Sequence, residues 1–170
     1  MLQQTQASRV VPAYRAFLRR FPTIASLARA PRSAVVGAWS GLGYNRRAIA
    51  LADAARAIVR DHGGRIPRAA ADLRTLPGVG PYTAAAVASI AFGEPIAAVD
   101  VNVRRVVARA RLGADPHALD AATIDAEAAR WLDRRDPGSW NQALMDLGRE
   151  HCRSVPRCDG CPLARGSGRR

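Results

Sequence analysis

The sequence predicts an all-α protein of short helices joined by tight turns. Three observations predict it. Alanine and aliphatic residues dominate a hydrophobic fraction of 48%, against 5% aromatics, and alanine is the strongest helix former. Apolar residues recur at helical spacing, with few alternating stretches of the strand kind. Glycine and proline mostly fall between the periodic stretches, where they punctuate helices. At 170 residues, the chain suits one domain or two small, intimately packed lobes and can bury a core without disulfides.

Taken in order, residues 6–20 place Val10, Val11, Tyr14, Phe17 and Leu18 on one side of a first helix, interrupted by Pro22. Residues 24–30 form a short helix that ends before Pro31, and 33–40 a third, closed by Gly41 and Gly43. Residues 46–62 are long and amphipathic, with Gly63-Gly64 as the stop. A short helix over 69–75 follows Pro67, and 82–92 follows a Gly/Pro turn and ends at Gly93. Helices over 102–112, 123–134 and 139–151 complete the series, with a polar loop around 115–119. The sequence divides into a helical core, 1–151, and a loop-like tail, 152–170, rich in Pro, Gly and Arg.

Twenty-six basic residues against 14 acidic ones leave a formal charge of +12. A chain this basic is expected to meet a polyanion, nucleic acid first; an arginine-rich solvated surface is the plainer alternative. All 26 basic residues are arginine and none is lysine. Arginine forks onto phosphates bidentately, but it supplies no amine nucleophile. Chemistry through a lysine Schiff base is therefore excluded. Nothing resembles a signal peptide or a membrane span, so a cytoplasmic location is expected. Cys152, Cys158 and Cys161 cluster near the C-terminus; an odd set of this kind points to a metal or to reduced thiols more than to disulfides.

Two segments carry candidate chemistry. Residues 76–83, Leu-Pro-Gly-Val-Gly-Pro-Tyr-Thr, lie between two helices. Gly78 and Gly80 permit positive φ and leave the backbone uncovered. Their amides, with the free N–H groups opening the next helix, can point at a phosphate oxygen, while Val79 buries and pins the turn. Such a contact is blind to base sequence; the alternative is an ordinary helical corner. Downstream, apolar residues 96–99 lead into Asp100, just ahead of a helix. An aspartate there is a helix N-cap. It can equally stabilise an oxocarbenium-like sugar, as carboxylates do in glycoside hydrolysis. The two roles are compatible, because one carboxylate oxygen can cap while the other faces a substrate.

Together, these residues resemble the helix-hairpin-helix plus Gly/Pro-Asp pattern of the endonuclease III superfamily of DNA glycosylases. Within it, the chain is similar to the MutY-type adenine glycosylases from residue 1 to about 163. The resemblance rests on Met1-Leu2-Gln3-Gln4-Thr5-Gln6, Gly41-Leu42-Gly43-Tyr44, Arg47-Ala48, the hairpin, Val99-Asp100 with Asn102-Val103, and the run 141–148, Asn-Gln-Ala-Leu-Met-Asp-Leu-Gly. It implies two small helical lobes with a cleft and, as function, base-excision repair of a mispaired adenine in double-stranded DNA, opposite 8-oxoguanine or guanine. Asp100 matches the catalytic aspartate, with Asn102 beside it. Tyr82 falls where bifunctional relatives carry a lysine, which agrees with hydrolysis without a lyase step. Gln4, Thr5, Leu42 and Tyr44 match residues that probe the opposite base or wedge into the stack, filling the hole left by a flipped base. Arg47, Gly78, Val79 and Gly80 complete the implied DNA contacts, and a monomer is expected.

Three departures from the family's pattern shape the expectations. The family's catalytic glutamate lies two residues before the position of Met1. Positioned acid catalysis contributes roughly 10²–10⁴-fold, so adenine excision by this chain is expected to be weak. A thymine or uracil mismatch glycosylase, or a catalytically impaired DNA-binding fragment, stands as the alternative. The family holds a [4Fe–4S] cluster with C-x6-C-x2-C-x5-C. Here five residues separate Cys152 from Cys158, and Ser167 takes the fourth position. Four thiolates are the normal ligation, so a cluster on three is doubtful. The family's C-terminal domain, which recognises 8-oxoguanine, has no counterpart within these 170 residues.

Overall fold

The computed structural model describes residues 6–164. Among them the secondary structure is helical, with no strand: α1 (Ala7–Arg20), α2 (Ile24–Arg29), α3 (Arg32–Ala38), α4 (Arg46–Asp61), α5 (Ala70–Leu73), α6 (Pro81–Phe92), α7 (Val101–Arg111), α8 (Ala121–Trp131) and α9 (Pro137–Glu150). The chain forms two compact units. The first holds the described residues up to Pro67 together with Ala71–Val79; the second holds Arg68–Ala70 and the described residues from Gly80 onward. The division in sequence falls inside the predicted hairpin, between Val79 and Gly80.

In the first unit, α4 packs against α2 and α3, and α1 against α3. Ala48, Ala52 and Ala55 recur every three or four residues on α4, giving it one buried face of methyl groups that joins Leu27, Val35, Trp39 and Phe17 in the core. Phe17 meets Phe21 and Trp39 edge to face, at 5.0 and 6.0 Å between ring centres. Thr23 and Ser26 form a capping box at the start of α2, each hydroxyl accepting from the other's backbone N–H. Such a cap is worth about 1 kcal/mol. At the other end of α2, the Arg56 guanidinium donates to the carbonyls of Ala28 and Ala30 while Asp53 holds it at 2.6 Å. These carbonyls would otherwise lack helical partners.

In the second unit, α7 packs against α8 and α9, and α9 against α6. Val103, Val106, Val107, Ile124 and Leu144 are buried where these helices meet, and Trp131 meets Trp140 edge to face at 5.9 Å. Helix starts are set by aspartates: Asp120 accepts from Thr123 N at 2.7 Å and Asp136 from Ser139 N at 3.1 Å. This moves two boundaries from their expected places. The helix expected over 123–134 begins earlier, after Asp120, and ends at Trp131. The one expected over 139–151 begins at Pro137, where the missing N–H costs nothing. Asn141 is fully buried. It donates to Ser89 Oγ at 2.9 Å and to Ile96 O at 3.0 Å, and accepts from Ala98 N at 2.7 Å. One amide thus ties α9 to α6 and to the extended residues that deliver the chain to Asp100.

Candidate active site

The second unit holds the candidate chemistry. Asp100 is the N-cap of α7, and its Oδ1 accepts from Asn102 N and Val103 N, both at 2.8 Å. Its Oδ2 accepts from Asn102 Nδ2 at 2.8 Å. Three donors therefore immobilise the carboxylate at the positive end of a helix dipole, where a negative charge is favoured. Oδ1 makes the cap, and Oδ2 carries the single bond from Asn102.

Asn102 owes its orientation to Arg105. The guanidinium donates to Asn102 Oδ1 at 2.7 Å, which leaves the amide NH₂ to face Asp100. Arg105 also donates to the carbonyls of Val101, Gly148 and Cys152, so it is a fixed post rather than a mobile surface cation. Gly148 permits the arrangement. A Cβ there would stand 2.6 Å from Asn102 Cβ and 2.9 Å from Asn102 O, so any side chain would force α7 and α9 apart. Sequence reasoning placed Asn102, noted the run 141–148 only as part of the resemblance, and gave no role to Arg105, Gly148 or Asn141. A glycine interrupting the helical run after Met145 was the one local signal of close helix approach.

Tyr82, in the first turn of α6, donates its hydroxyl to Met145 Sδ at 3.5 Å. Partial burial raises the phenol above its ordinary pKa, and the Asp100 carboxylate raises it further. Tyr82 thus senses Asp100 and stays a neutral donor. The start of α6 has Gly80 at the N-cap, Pro81 next, and no side-chain cap. Its opening N–H groups are therefore open to an external acceptor. Gly80 sits at φ −86°, so the positive φ expected of it is not used: an extended backbone is what a residue entering a helix adopts.

The first unit, described by itself, holds the hairpin residues up to Val79 and the turn over 41–44. Gly78 does adopt positive φ, 77°, and its position leaves no room for a side chain, since a Cβ would meet Ala50 Cβ at 2.6 Å. Val79, half-buried, donates its N–H to Leu76 O at 3.1 Å and closes the turn. In the turn over 41–44, Trp39 Nε1 donates to Gly43 O at 3.1 Å and Arg9 to Gly41 O at 3.2 Å. Tyr44 is held at φ 51°, uncommon for a non-glycine residue, and is 54% exposed. Arg47 lies over both the Tyr44 and Trp39 rings, at 5.3 and 5.6 Å. Leu42, by contrast, is only 5% exposed and belongs to the core beside Trp39. Of the two residues expected to probe or wedge into DNA from this turn, Leu42 is directed inward and Tyr44 is presented. Gln4 and Thr5 lie outside the described residues.

Cys152 and Cys161 are half-buried and Cys158 is exposed. Among the described residues no group of three or more His, Cys, Asp or Glu side chains stands together to hold a metal ion. Three thiols fall one short of a four-thiolate cluster, and Ser167 lies outside the described residues.

A helix-hairpin-helix followed by an aspartate capping the next helix defines the class. The chain matches the family described as HhH-GPD superfamily base excision DNA repair protein over residues 1–129, and it belongs to that family. It is 44% identical over 167 residues to the adenine DNA glycosylase of Homo sapiens, covering 96% of this chain and 31% of that protein. It is 45% identical over 166 residues to the adenine DNA glycosylase of Mycobacterium tuberculosis (strain CDC 1551 / Oshkosh), covering 96% and 55%. Among solved structures, a thermostable thymine-DNA glycosylase superposes with a TM-score of 0.88 at 30% identity, covering 98% of this chain and 78% of that one. The chain thus spans between a third and about half the length of these two curated relatives.

Proposed function

We propose that this chain acts on double-stranded DNA as a monofunctional glycosylase that hydrolyses the N-glycosidic bond of a mispaired adenine. The observation that carries the proposal is the Asp100 carboxylate, braced by three donors and set beside a neutral Tyr82 phenol in a chain without lysine. In the proposed reaction the bond from the sugar C1′ to the base breaks and its electron pair leaves with the base. Asp100 stabilises the cationic sugar through charge rather than through a covalent bond. Water adds at C1′ and gives up a proton, and the departing base gains one. The hairpin amides from Gly78 and Gly80 hold the DNA backbone, and Tyr44 is the side chain presented toward the stack. These residues offer no lysine amine to open the sugar, so an abasic site is the expected product.

Single-turnover reaction of a duplex with adenine opposite 8-oxoguanine or guanine, followed by alkali, tests this. Strand breaks are expected only after alkali, and Asp100→Asn should slow their appearance by roughly 10²–10³-fold, the scale of losing one transition-state electrostatic partner. Equal rates for the two proteins would overturn the catalytic role. A second reading, thymine opposite guanine, is favoured by the likeness to the thymine-DNA glycosylase; a panel of mismatched duplexes separates the two. Binding without release of any base would mark a catalytically impaired DNA-binding chain. Monomeric state and a cytoplasmic location belong to the same proposal; among the described residues no helix is long and apolar enough to cross a membrane.

A further inference from the structure

The loop over residues 152–164 holds the three thiols, yet its fold is accounted for by contacts that involve no metal. Arg109, in the last turn of α7, donates to Arg153 O at 2.5 Å and to Ser154 O at 3.0 Å, and its NH1 stands 3.6 Å from Cys152 Sγ. Arg105 adds a bond to Cys152 O at 2.9 Å. The loop's own backbone supplies the rest: Cys152 N to Leu147 O at 2.9 Å, Arg157 N to His151 O at 2.8 Å, Cys161 N to Cys158 O at 3.1 Å and Ala164 N to Cys161 O at 3.0 Å. Cys152 and Leu163 pack against the apolar core of the second unit. The concavity beneath is mainly apolar, lined by Val106, Ala110, Leu147 and Pro156, and His151 and all three cysteines border it as well.

These contacts answer the two demands that a cluster would otherwise meet. A metal cross-link closes a loop and lowers the entropy of its open forms. Here charged guanidiniums on a rigid helix grip three successive carbonyls, 152, 153 and 154, and charge-assisted bonds of this kind are the stronger ones. A four-thiolate cluster also needs a fourth donor, whereas the sequence holds three cysteines, and among the described residues no three His, Cys, Asp or Glu side chains stand together to hold a metal ion. We infer that the cysteine loop of this chain is a metal-free clasp, held to α7 by Arg105 and Arg109, and that its thiols are reduced packing and surface groups rather than cluster ligands. The inference concerns the loop alone and stands or falls independently of which base, if any, is released.

The test begins with the full chain, purified anaerobically from iron-replete cells and also incubated with ferrous iron and sulfide. Negligible iron and acid-labile sulfide, with no visible thiolate-to-iron absorption, are expected in both preparations. Stoichiometric iron and sulfide in either would overturn the inference. Hydrogen exchange provides the second arm. Arg109→Gln should speed exchange of amides in 152–158 by roughly tenfold or more, the effect of losing a charge-assisted bond, while α8 stays protected. Unchanged loop exchange would overturn the clasp. Cys158→Ser should leave Tm within about 2 °C of the parent, as for a surface substitution. A collapse of loop protection in that variant would show that the thiol is a ligand after all.

Discussion

Asp100 is held by three hydrogen bonds, and one of them depends on a neighbour that a third residue orients. Removing the Asn102 side chain leaves the two backbone donors to Oδ1 and takes away the donor to Oδ2. A hydrogen bond to a charged group contributes about 1.5–3 kcal/mol. Asn102→Ala is therefore expected to slow base release by roughly ten- to hundredfold without weakening DNA binding, read by single-turnover rates beside equilibrium binding. An unchanged rate would show that the second oxygen needs no brace. Tyr82 makes a second prediction. Its phenol is raised in the folded chain, so the fold prefers the protonated form. That contribution is complete below the unfolded value of about 10 and is lost as pH rises through the higher folded value. Tyr82→Phe should remove this alkaline loss, seen as urea midpoints that fall less than the parent's above about pH 10. Among the three tyrosines, the titration missing from the phenolate absorbance of the variant should be one above the ordinary range.

Between helices, the buried polar connections matter more than the apolar ones for placing the site. Asn141 satisfies two backbone groups, Ala98 N and Ile96 O, and Ser89 Oγ in a dry setting. Replacing it by leucine keeps the volume but strands these partners, at about 1–3 kcal/mol for each buried group left unpaired. Asn141→Leu is expected to lose about 2–4 kcal/mol in denaturant unfolding, and to release bases more slowly because residues 96–100 lose their tether. Stability equal to the parent's would mean that this amide is dispensable. The helices themselves were largely legible beforehand. Their apolar spacing and their stops, such as Gly63-Gly64 and Gly93, are local signals, and the observed elements follow them closely. The boundaries that moved did so where an aspartate, Asp120 or Asp136, outcompeted the apolar pattern in choosing the first turn.

At the scale of the whole molecule, charge dominates. With a net charge of +12 and every basic side chain an arginine, the proposed DNA binding is expected to draw most of its affinity from phosphate contacts, with counterions released as each contact forms. If about six phosphates are neutralised, affinity for undamaged duplex should fall by roughly 10³-fold between about 50 and 200 mM salt. Fluorescence anisotropy across a salt series measures the slope, and a flat dependence would contradict backbone gripping. Individual ion pairs add little to this account. Exposed pairs such as Arg149 with Asp146 contribute at most about 1 kcal/mol.

The sequence by itself determined the all-helical class, the place of the hairpin, the aspartate that caps α7 and the exclusion of lysine chemistry. Each depends on residue type and on spacing within a turn or two of chain, where periodicity, capping and glycine conformation act locally. Tertiary structure alone decided which side chains those elements bring into contact. It turned Leu42 into the core and left Tyr44 outside, aimed the Asn102 amide through Arg105, and set Asn141 against residues 43 to 52 positions away. It also clasped the cysteine loop with arginines from α7, 43 to 47 positions earlier in the chain. Such partners are chosen by packing between distant segments, which close approach at Gly148 permits and which no local pattern encodes.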